Sequence, residues 1–355
     1  MSEKVLMKGN EALAEAAIRA GCRLFFGYPI TPQTEVSAYM SKRMPQVDGL
    51  FLQAESEVAA INMVYGAAGA GARVMTSSSS PGISLKQEGI SYIAASDLPC
   101  LVVNIVRGGP GLGGIQPAQS DYFQAVKGGG HGDYHLVVLA PASVQELVDL
   151  TAEAFDIGDM YRVPVMIMGD GMLGQMMEPI TFGEPKKRNL PEKTWATTGT
   201  AMQRKKNVVN SLYLTPEELE ELNNERAKRY AAIEENEVKV ELQQVEDADL
   251  VLVAYGVTAR IAKTAAAIAR EKGMKVGLIR PITLWPFPKK EIANAAKTAK
   301  CFLTVEMSQG QMVEDVRLAV NGTKPVHFYG RNGGIVPTPD EIVKEMEKLL
   351  GGASE

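Results

Sequence analysis

Three residues combine a reactive type with surroundings suited to chemistry: Glu57, Arg107 and Thr31. Glu57 opens the apolar segment ESEVAAINMVYGAAGAGA, where an acid either complements a helix dipole or handles a proton. Arg107 closes the almost wholly apolar run LPCLVVNIV, and a cation at the end of a buried strand calls for an anion, from a ligand or from a carboxylate. Thr31 lies in GYPITPQTE (27–35), where Pro29 and Pro32 leave the backbone little freedom. Such a loop either holds a rigid hydroxyl toward a small molecule, or is a stiff turn with Thr31 as helix cap and Pro32 in the first helical position. Glu55, two residues before Glu57, and the serine-rich turn at 77–81 complete the set.

Other motifs carry less. Gly109, Gly111 and Gly114 in GGPGLGG satisfy a GxGxxG pattern with Asp133 some way on, so a dinucleotide site, and with it an NAD-binding protein, is a formal alternative. The sequence that follows, IQPAQS, does not open a helix, and the fingerprint belongs at the first strand of a Rossmann unit. These glycines, with GGGHGD at 128–133, better suit a tight loop approaching a ligand or another chain. Gly169-Asp170-Gly171 imitates the start of a metal-diphosphate motif but lacks the later asparagine, so Asp170 is expected to be a turn or helix-cap residue. His131, His135 and His327 have no metal-ligand spacing and are read as structural or interface residues; no metal site is expected.

Composition narrows the partners. The 355-residue chain is 22% charged with a net charge of −5 and no block of Lys or Arg, which argues against nucleic acid or an anionic membrane. Cys22, Cys100 and Cys301 lie far apart without a CxxC, against a disulfide framework, a zinc site or an iron–sulfur cluster held by this chain alone. With no apolar run long enough for a signal peptide or membrane span, a cytoplasmic protein is expected.

The reactive residues follow strand-like runs. Helix-like 10–20, with Asn10 as its cap, leads to CRLFF (22–26); Leu50-Phe51-Leu52, a helix from Ser56 to about Ala70, RVMTS (73–77), a helix through 82–96 and the strand 98–106 come next. HLVVLAP and VPVMIMG flank a further helix. Alternation of this kind predicts an α/β doubly wound parallel sheet, with ligands collecting at the carboxyl ends of its strands. The charged stretch 182–245, including PKKR and a capping-box helix from Thr215, reads as a connector with an exposed bridging helix. A second series of four strands and four helices from Asp249 predicts a smaller, independent α/β domain.

GYPITP, ESEVAAINMVYGAAGAGARVMTSSSSPG, IVRGGPGLGG and LIRPITLWPFP together resemble the α subunit of the thiamine diphosphate-dependent 2-oxoacid:ferredoxin oxidoreductases, over nearly the whole chain. The stretch from GGPGLGG through KGGGHGDY is similar to the branched-chain, 2-oxoisovalerate member. The resemblance implies a pyrimidine-binding domain at 1–181, a connector at 182–245 and a transketolase C-terminal-like domain at 246–355. It implies that Glu57 hydrogen-bonds N1′ of the cofactor pyrimidine, with Tyr28, Pro29 and Ile30 beside the cofactor, and that Thr31 and Arg107 bind the 2-oxoacid, Arg107 through its carboxylate. Glu55 is the alternative to Glu57 if the register is off by two. The implied reaction is oxidative decarboxylation, with electrons passed singly to iron–sulfur clusters and ferredoxin and the acyl group to coenzyme A. Since this chain lacks cluster cysteines and a Mg²⁺-diphosphate motif, the resemblance assigns Mg²⁺ and the cofactor's diphosphate to a β subunit. It expects [4Fe-4S] clusters on partner subunits, with γ and ferredoxin-like δ subunits among the partners. 2-Oxoglutarate is the alternative substrate, with Lys86 or Lys127 as cation for its second carboxylate; a non-catalytic scaffold subunit is a further alternative.

Overall fold

A computed structural model describes residues 4–183 and 188–351. In chain order, β1 (Val5–Lys8), α1 (Gly9–Arg19), β2 (Leu24–Gly27), α2 (Thr34–Arg43), β3 (Leu50–Gln53), α3 (Glu57–Gly69), β4 (Val74–Ser78) and α4 (Ser80–Ala95) come first. Next are β5 (Cys100–Val106), α5 (Tyr122–Val126), β6 (Val137–Leu139), α6 (Val144–Tyr161), β7 (Pro164–Asp170), α7 (Gly171–Gln175) and β8 (Met177–Ile180). The remainder comprises α8 (Pro216–Asn236), β9 (Val240–Gln243), β10 (Leu250–Val253), α9 (Gly256–Glu271), β11 (Val276–Pro281), β12 (Thr283–Trp285), α10 (Lys289–Ala295), β13 (Cys301–Glu306), α11 (Met312–Val320), β14 (Val326–Gly330) and α12 (Pro339–Gly351).

The larger sheet has the order β12-β6-β7-β5-β4-β2-β3, parallel throughout except for β12, which runs antiparallel to β6. Its central strands β4, β5 and β7 are buried at every position, as a parallel sheet covered on both faces requires. From β2 the chain goes outward to β3 and then returns across β2 to β4. The strand order therefore reverses between β2 and β4, and the loops leaving their carboxyl ends part there to form a crevice. The doubly wound architecture expected from the sequence is thus the one observed.

The smaller sheet has the order β14-β13-β10-β11-β9, with only β9 antiparallel. It is less independent than its sequence suggests. β12 leaves it to extend the larger sheet, where Trp285 stacks on His135 with centroids 4.5 Å apart and Tyr230 of α8 meets both rings edge-on. His135 is accordingly an interface residue. Arg280 reaches across from β11 to α6, pairing with Glu146 at 2.7 Å as well as with Glu241 of β9. Gln119 donates to Tyr255 O at 2.9 Å and accepts from the Thr258 hydroxyl at 2.8 Å, so the segment after Arg107 is fastened to the second sheet.

Two further expectations fail locally. α8 is not simply an exposed bridge: Arg226, Tyr230 and Ile233 are buried, and Arg226 and Arg229 both grip Asp97 at the end of α4. Thr215 precedes this helix without donating or accepting a side-chain cap bond, so the capping box is not formed. The PKK part of the connector motif, at 185–187, lies outside the described residues. No helix among the described residues is long and apolar enough to cross a membrane.

Candidate active site

The crevice between β2 and β4 is where the sequence-nominated residues meet. Ser56 caps α3 by accepting from Ala59 N at 3.2 Å, which makes Glu57 the first residue of that helix. Glu57 is 6% exposed whereas Glu55 is exposed, so the register places Glu57 inward. Its side chain lies against the first turn of α4, the positive end of a 16-residue helix. A Cβ built on Gly82 would come within 2.5 Å of Glu57 Oε1 and 2.1 Å of Ser78 Oγ, so only glycine leaves room for both groups. No hydrogen bond reaches the Glu57 carboxylate from the described residues, and the buried hydroxyls of Ser78 and Ser79 also lack partners.

Arg107 joins the same turn of α4. Ser80 Oγ accepts from Arg107 N at 3.1 Å and contacts Arg107 O at 3.2 Å, two residues before Gly82. The Arg107 guanidinium is 6% exposed and donates to Thr31 O at 2.8 Å and Leu112 O at 2.9 Å, while its buried Nε has no partner. Among the described residues no carboxylate pairs with it, so the anion that its burial calls for is not supplied by them. Arg107 holds the backbone of Thr31, not its hydroxyl. Thr31, Tyr28 and Pro29 are exposed and Ile30 is half-buried, along the rim of the crevice.

The YPITP loop is not a helix cap. α2 begins at Thr34 with Gln33 before it, so Pro32 precedes the helix, and Thr31–Pro32 is a cis peptide bond. Residues that local sequence did not nominate hold the loop. Asn10 Nδ2 donates to Pro32 O at 2.8 Å and to Glu35 at 2.9 Å, and Gln175 Nε2 donates to Pro32 O at 3.3 Å. Gln33 donates to Tyr28 O at 3.1 Å and accepts from Ser77 Oγ at 2.6 Å, tying the loop to the end of β4. Asn10 is thus a buried clamp inside α1 and does not cap that helix, whose preceding residue is Lys8. A polar residue at the start of a helix whose buried face is mostly alanine and leucine was the available signal.

The neighbouring loops settle the remaining motifs. After Arg107 the chain bends back through Gly108 N to Gln116 O at 3.0 Å and an Arg107–Pro117 bridge, and the next helix is the five-residue α5. GGPGLGG therefore does not have the strand–turn–helix form of a dinucleotide fingerprint. Asp170 caps α7, accepting from Met172 N and Leu173 N at 2.9 and 3.1 Å, and burial raises its carboxyl to about 6. GGGHGD packs on α4, where Ser91 Oγ donates to His131 O at 2.8 Å. Asp121, raised by burial against hydrogen bonds from Ser80 and Asn104, lines a cleft of about 460 Å³ between the two sheets with Gly108, Met307, Gln311 and Asn332. Among the described residues there is no group of three or more His, Cys, Asp or Glu arranged to hold a metal ion.

Both lysines nominated for a second substrate carboxylate are already engaged. Lys86 is fully buried and donates to Thr76 Oγ1 at 3.0 Å, and Lys127 is ion-paired with Asp315.

A doubly wound sheet with a second α/β module is the architecture of transketolase-like chains. A split-gene transketolase chain superposes with a TM-score of 0.62 at 14% identity, covering 97% of this chain and 98% of the other, a likeness of fold alone. Two family models match in succession: "Pyruvate flavodoxin/ferredoxin oxidoreductase, thiamine diP-bdg" over residues 15–242 and "Pyruvate:ferredoxin oxidoreductase core domain II" over 248–342. The ketoisovalerate oxidoreductase subunit VorB of Methanothermobacter marburgensis is 51% identical over 99% of both chains, and the 2-oxoglutarate synthase subunit KorA of the same organism is 36% identical over 99% of this chain and all of its own. The 2-oxoglutarate:ferredoxin oxidoreductase of Magnetococcus marinus, solved with 2-oxoglutarate, coenzyme A and succinyl-CoA bound, superposes with a TM-score of 0.89 at 28% identity. This chain aligns over 98% of its length there and spans 65% of that longer chain. The chain belongs to the thiamine diphosphate-dependent 2-oxoacid:ferredoxin oxidoreductase family, as a subunit of such an enzyme.

Proposed function

We propose that the chain is the α-type subunit of a branched-chain 2-oxoacid:ferredoxin oxidoreductase, converting 2-oxoisovalerate and coenzyme A to acyl-CoA and CO₂ with reduction of ferredoxin. The observation that carries the site is the Glu57–Gly82–Ser78 cradle: a buried carboxylate and hydroxyl, neither hydrogen-bonded within the described residues, with space that only glycine leaves. This donor and acceptor set fits the edge of an aminopyrimidine, with Glu57 at the ring nitrogen and Tyr28, Pro29 and Ile30 along the open side. Bound thiamine diphosphate supplies the nucleophilic carbon and the electron sink for decarboxylation. Glu57 holds a proton at N1′. Arg107 binds the substrate carboxylate by charge-assisted hydrogen bonds, and the clamped loop fixes the Thr31 hydroxyl beside it.

The domain limits 1–181, 182–245 and 246–355 are part of the proposal, as are the partner chains. The absence of a diphosphate-type motif in this sequence supports placing Mg²⁺ and the diphosphate on a β subunit, and the dispersed cysteines support placing the [4Fe-4S] clusters on γ and δ partners. The substrate choice is supported by the 51% identity to a ketoisovalerate oxidoreductase subunit and by the engagement of Lys86 and Lys127, which leaves neither for a second carboxylate. The test is coenzyme A-dependent viologen reduction by the complex co-expressed with its partner subunits. The expected result is a higher kcat/KM for 2-oxoisovalerate than for 2-oxoglutarate; the reverse order overturns the substrate assignment.

A further inference from the structure

Lys86 has no part in the reaction described so far, yet it is among the largest fully buried side chains. Four residues after Gly82 on α4, it shares the helix face that meets α3, and Gly89 continues that face against Ile61 of α3. Glu57 is the α3 residue at the top of the same contact. The ammonium has three protons to donate, and its one hydrogen bond goes to a neutral hydroxyl, Thr76 Oγ1. A buried cation so sparsely hydrogen-bonded is costly unless a negative charge stands close by.

The titratable groups on the elements packed around α4 leave one such charge. Cys100 of β5 is a thiol pushed by burial to about 12. Asp170 of β7 is turned to the N–H groups of α7, and Asp121 to Ser80 and Asn104. Tyr65 of α3 is bonded to Ser96 at 2.7 Å, and Glu88 of α4 is exposed beside Tyr92. β4 brings only hydroxyls, Thr76, Ser77 and Ser78. His131 and Asp133 of the GGGHGD loop packed on α4 are exposed, and Asp97 beyond the helix end is paired with Arg226 and Arg229. Glu57 remains.

We propose that Lys86 is a positioning residue for Glu57: a buried counter-ion, one helical turn below the Gly82 opening, that holds the carboxylate in place for the cofactor pyrimidine. The inference rests on Glu57 being the cofactor-binding acid. Burial lowers the Lys86 ammonium from its usual 10.5 to about 8, with Glu57 pulling the other way. The counter-ion therefore loses its proton within an accessible range, and cofactor binding acquires a basic limb near pH 8.

The sign for stability is opposite to that for function. Between about 8 and 10.5 the unfolded chain binds the proton that the folded chain has released, so this group's contribution to stability rises with pH through that window and its full burial cost is present below it. Replacing Lys86 by the equally unbranched Met removes that cost.

The experiment measures thiamine diphosphate affinity from pH 6.5 to 9.5, with melting temperature, in the complex assembled with its partner subunits. In the wild type, affinity is expected to fall by about tenfold through pH 8 as the counter-ion is lost. Lys86→Met is expected to bind at the weak, high-pH level throughout, with an unchanged or higher melting temperature; Lys86→Arg keeps its charge and is expected to lose the limb while retaining tight binding. A Lys86→Met complex with the wild-type pH profile overturns the proposal. So does failure of Lys86→Met to assemble, which would make Lys86 a structural residue. Glu57→Gln separates the two readings. If it binds cofactor as wild type, the site assignment itself falls; if it binds weakly while Lys86→Met leaves the limb unmoved, only the role of Lys86 falls.

Discussion

Gly82→Ala separates the fold from the site with the smallest possible change. The added Cβ would lie 2.1 Å from Ser78 Oγ and 2.5 Å from Glu57 Oε1. Ordinary contact distances are about 3.5 Å, so Glu57 Oε1 must retreat by about 1 Å and Ser78 Oγ by about 1.4 Å. Both are ends of side chains that rotation can carry away, so the backbones of α3, β4 and α4 need not move. Alanine is also the better helix former, by up to about 1 kcal/mol, which leaves the melting temperature within a few degrees of wild type. The atoms that retreat are the acid and hydroxyl assigned to the cofactor, and a displacement of about 1 Å in such groups costs about 100-fold. In the assembled complex, the assay is coenzyme A-dependent oxidation of 2-oxoisovalerate, with thiamine diphosphate affinity and a thermal melt on the same sample. The expected result is a normal melt with kcat/KM down by about 100-fold. Wild-type affinity and rate would refute the placement of the cofactor at Gly82, and an unfolded variant would refute the claim that this glycine serves the site and not the fold.

Arg107→Met removes the proposed carboxylate contact and is expected to raise KM for the 2-oxoacid by about 10- to 100-fold, measured by steady-state kinetics. Arg226→Met withdraws the buried guanidinium that pins α8 to Asp97 and Ala95 O; it is expected to cost about 2–4 kcal/mol in denaturant unfolding with KM unchanged. Asp170→Asn preserves the cap oxygen on α7 and removes a carboxyl that burial raises to about 6. As the folded value lies above the usual 3.8, the wild type loses stability from this group as pH rises from about 4 to 6; in Asp170→Asn that slope is expected to vanish in a pH series of thermal melts.

How much of this was legible in the sequence depended on the range of the interactions. Strands β2 to β7 announce themselves through apolar, β-rich runs, buried in all but the edge strand β3, and the reactive residues at their carboxyl ends follow from strand order alone. Glu57 and Arg107 were visible because an acid and a cation interrupt apolar sequence. β12 was not visible: three residues within RPITLWPFP carry no periodicity of their own, and their pairing with β6 is set by tertiary contact with His135 and Tyr230. Asn10 looked like a helix cap because caps are chosen by local chemistry, whereas its actual partners, Pro32 and Glu35, are more than 20 residues away. Lys86 looked like a cation for substrate because charge is normally exposed. Only the packing of α4 in the fold reveals that it is fully buried with its ammonium on Thr76.

The central claim is that Glu57 is the acid that serves the thiamine cofactor. It is tested most directly by Glu57→Gln in the complex with its partner subunits, measuring 2-oxoisovalerate- and coenzyme A-dependent viologen reduction alongside cofactor binding. An assembled complex that has lost activity and binds thiamine diphosphate weakly is the predicted result; full activity in an assembled Glu57→Gln complex would contradict the account.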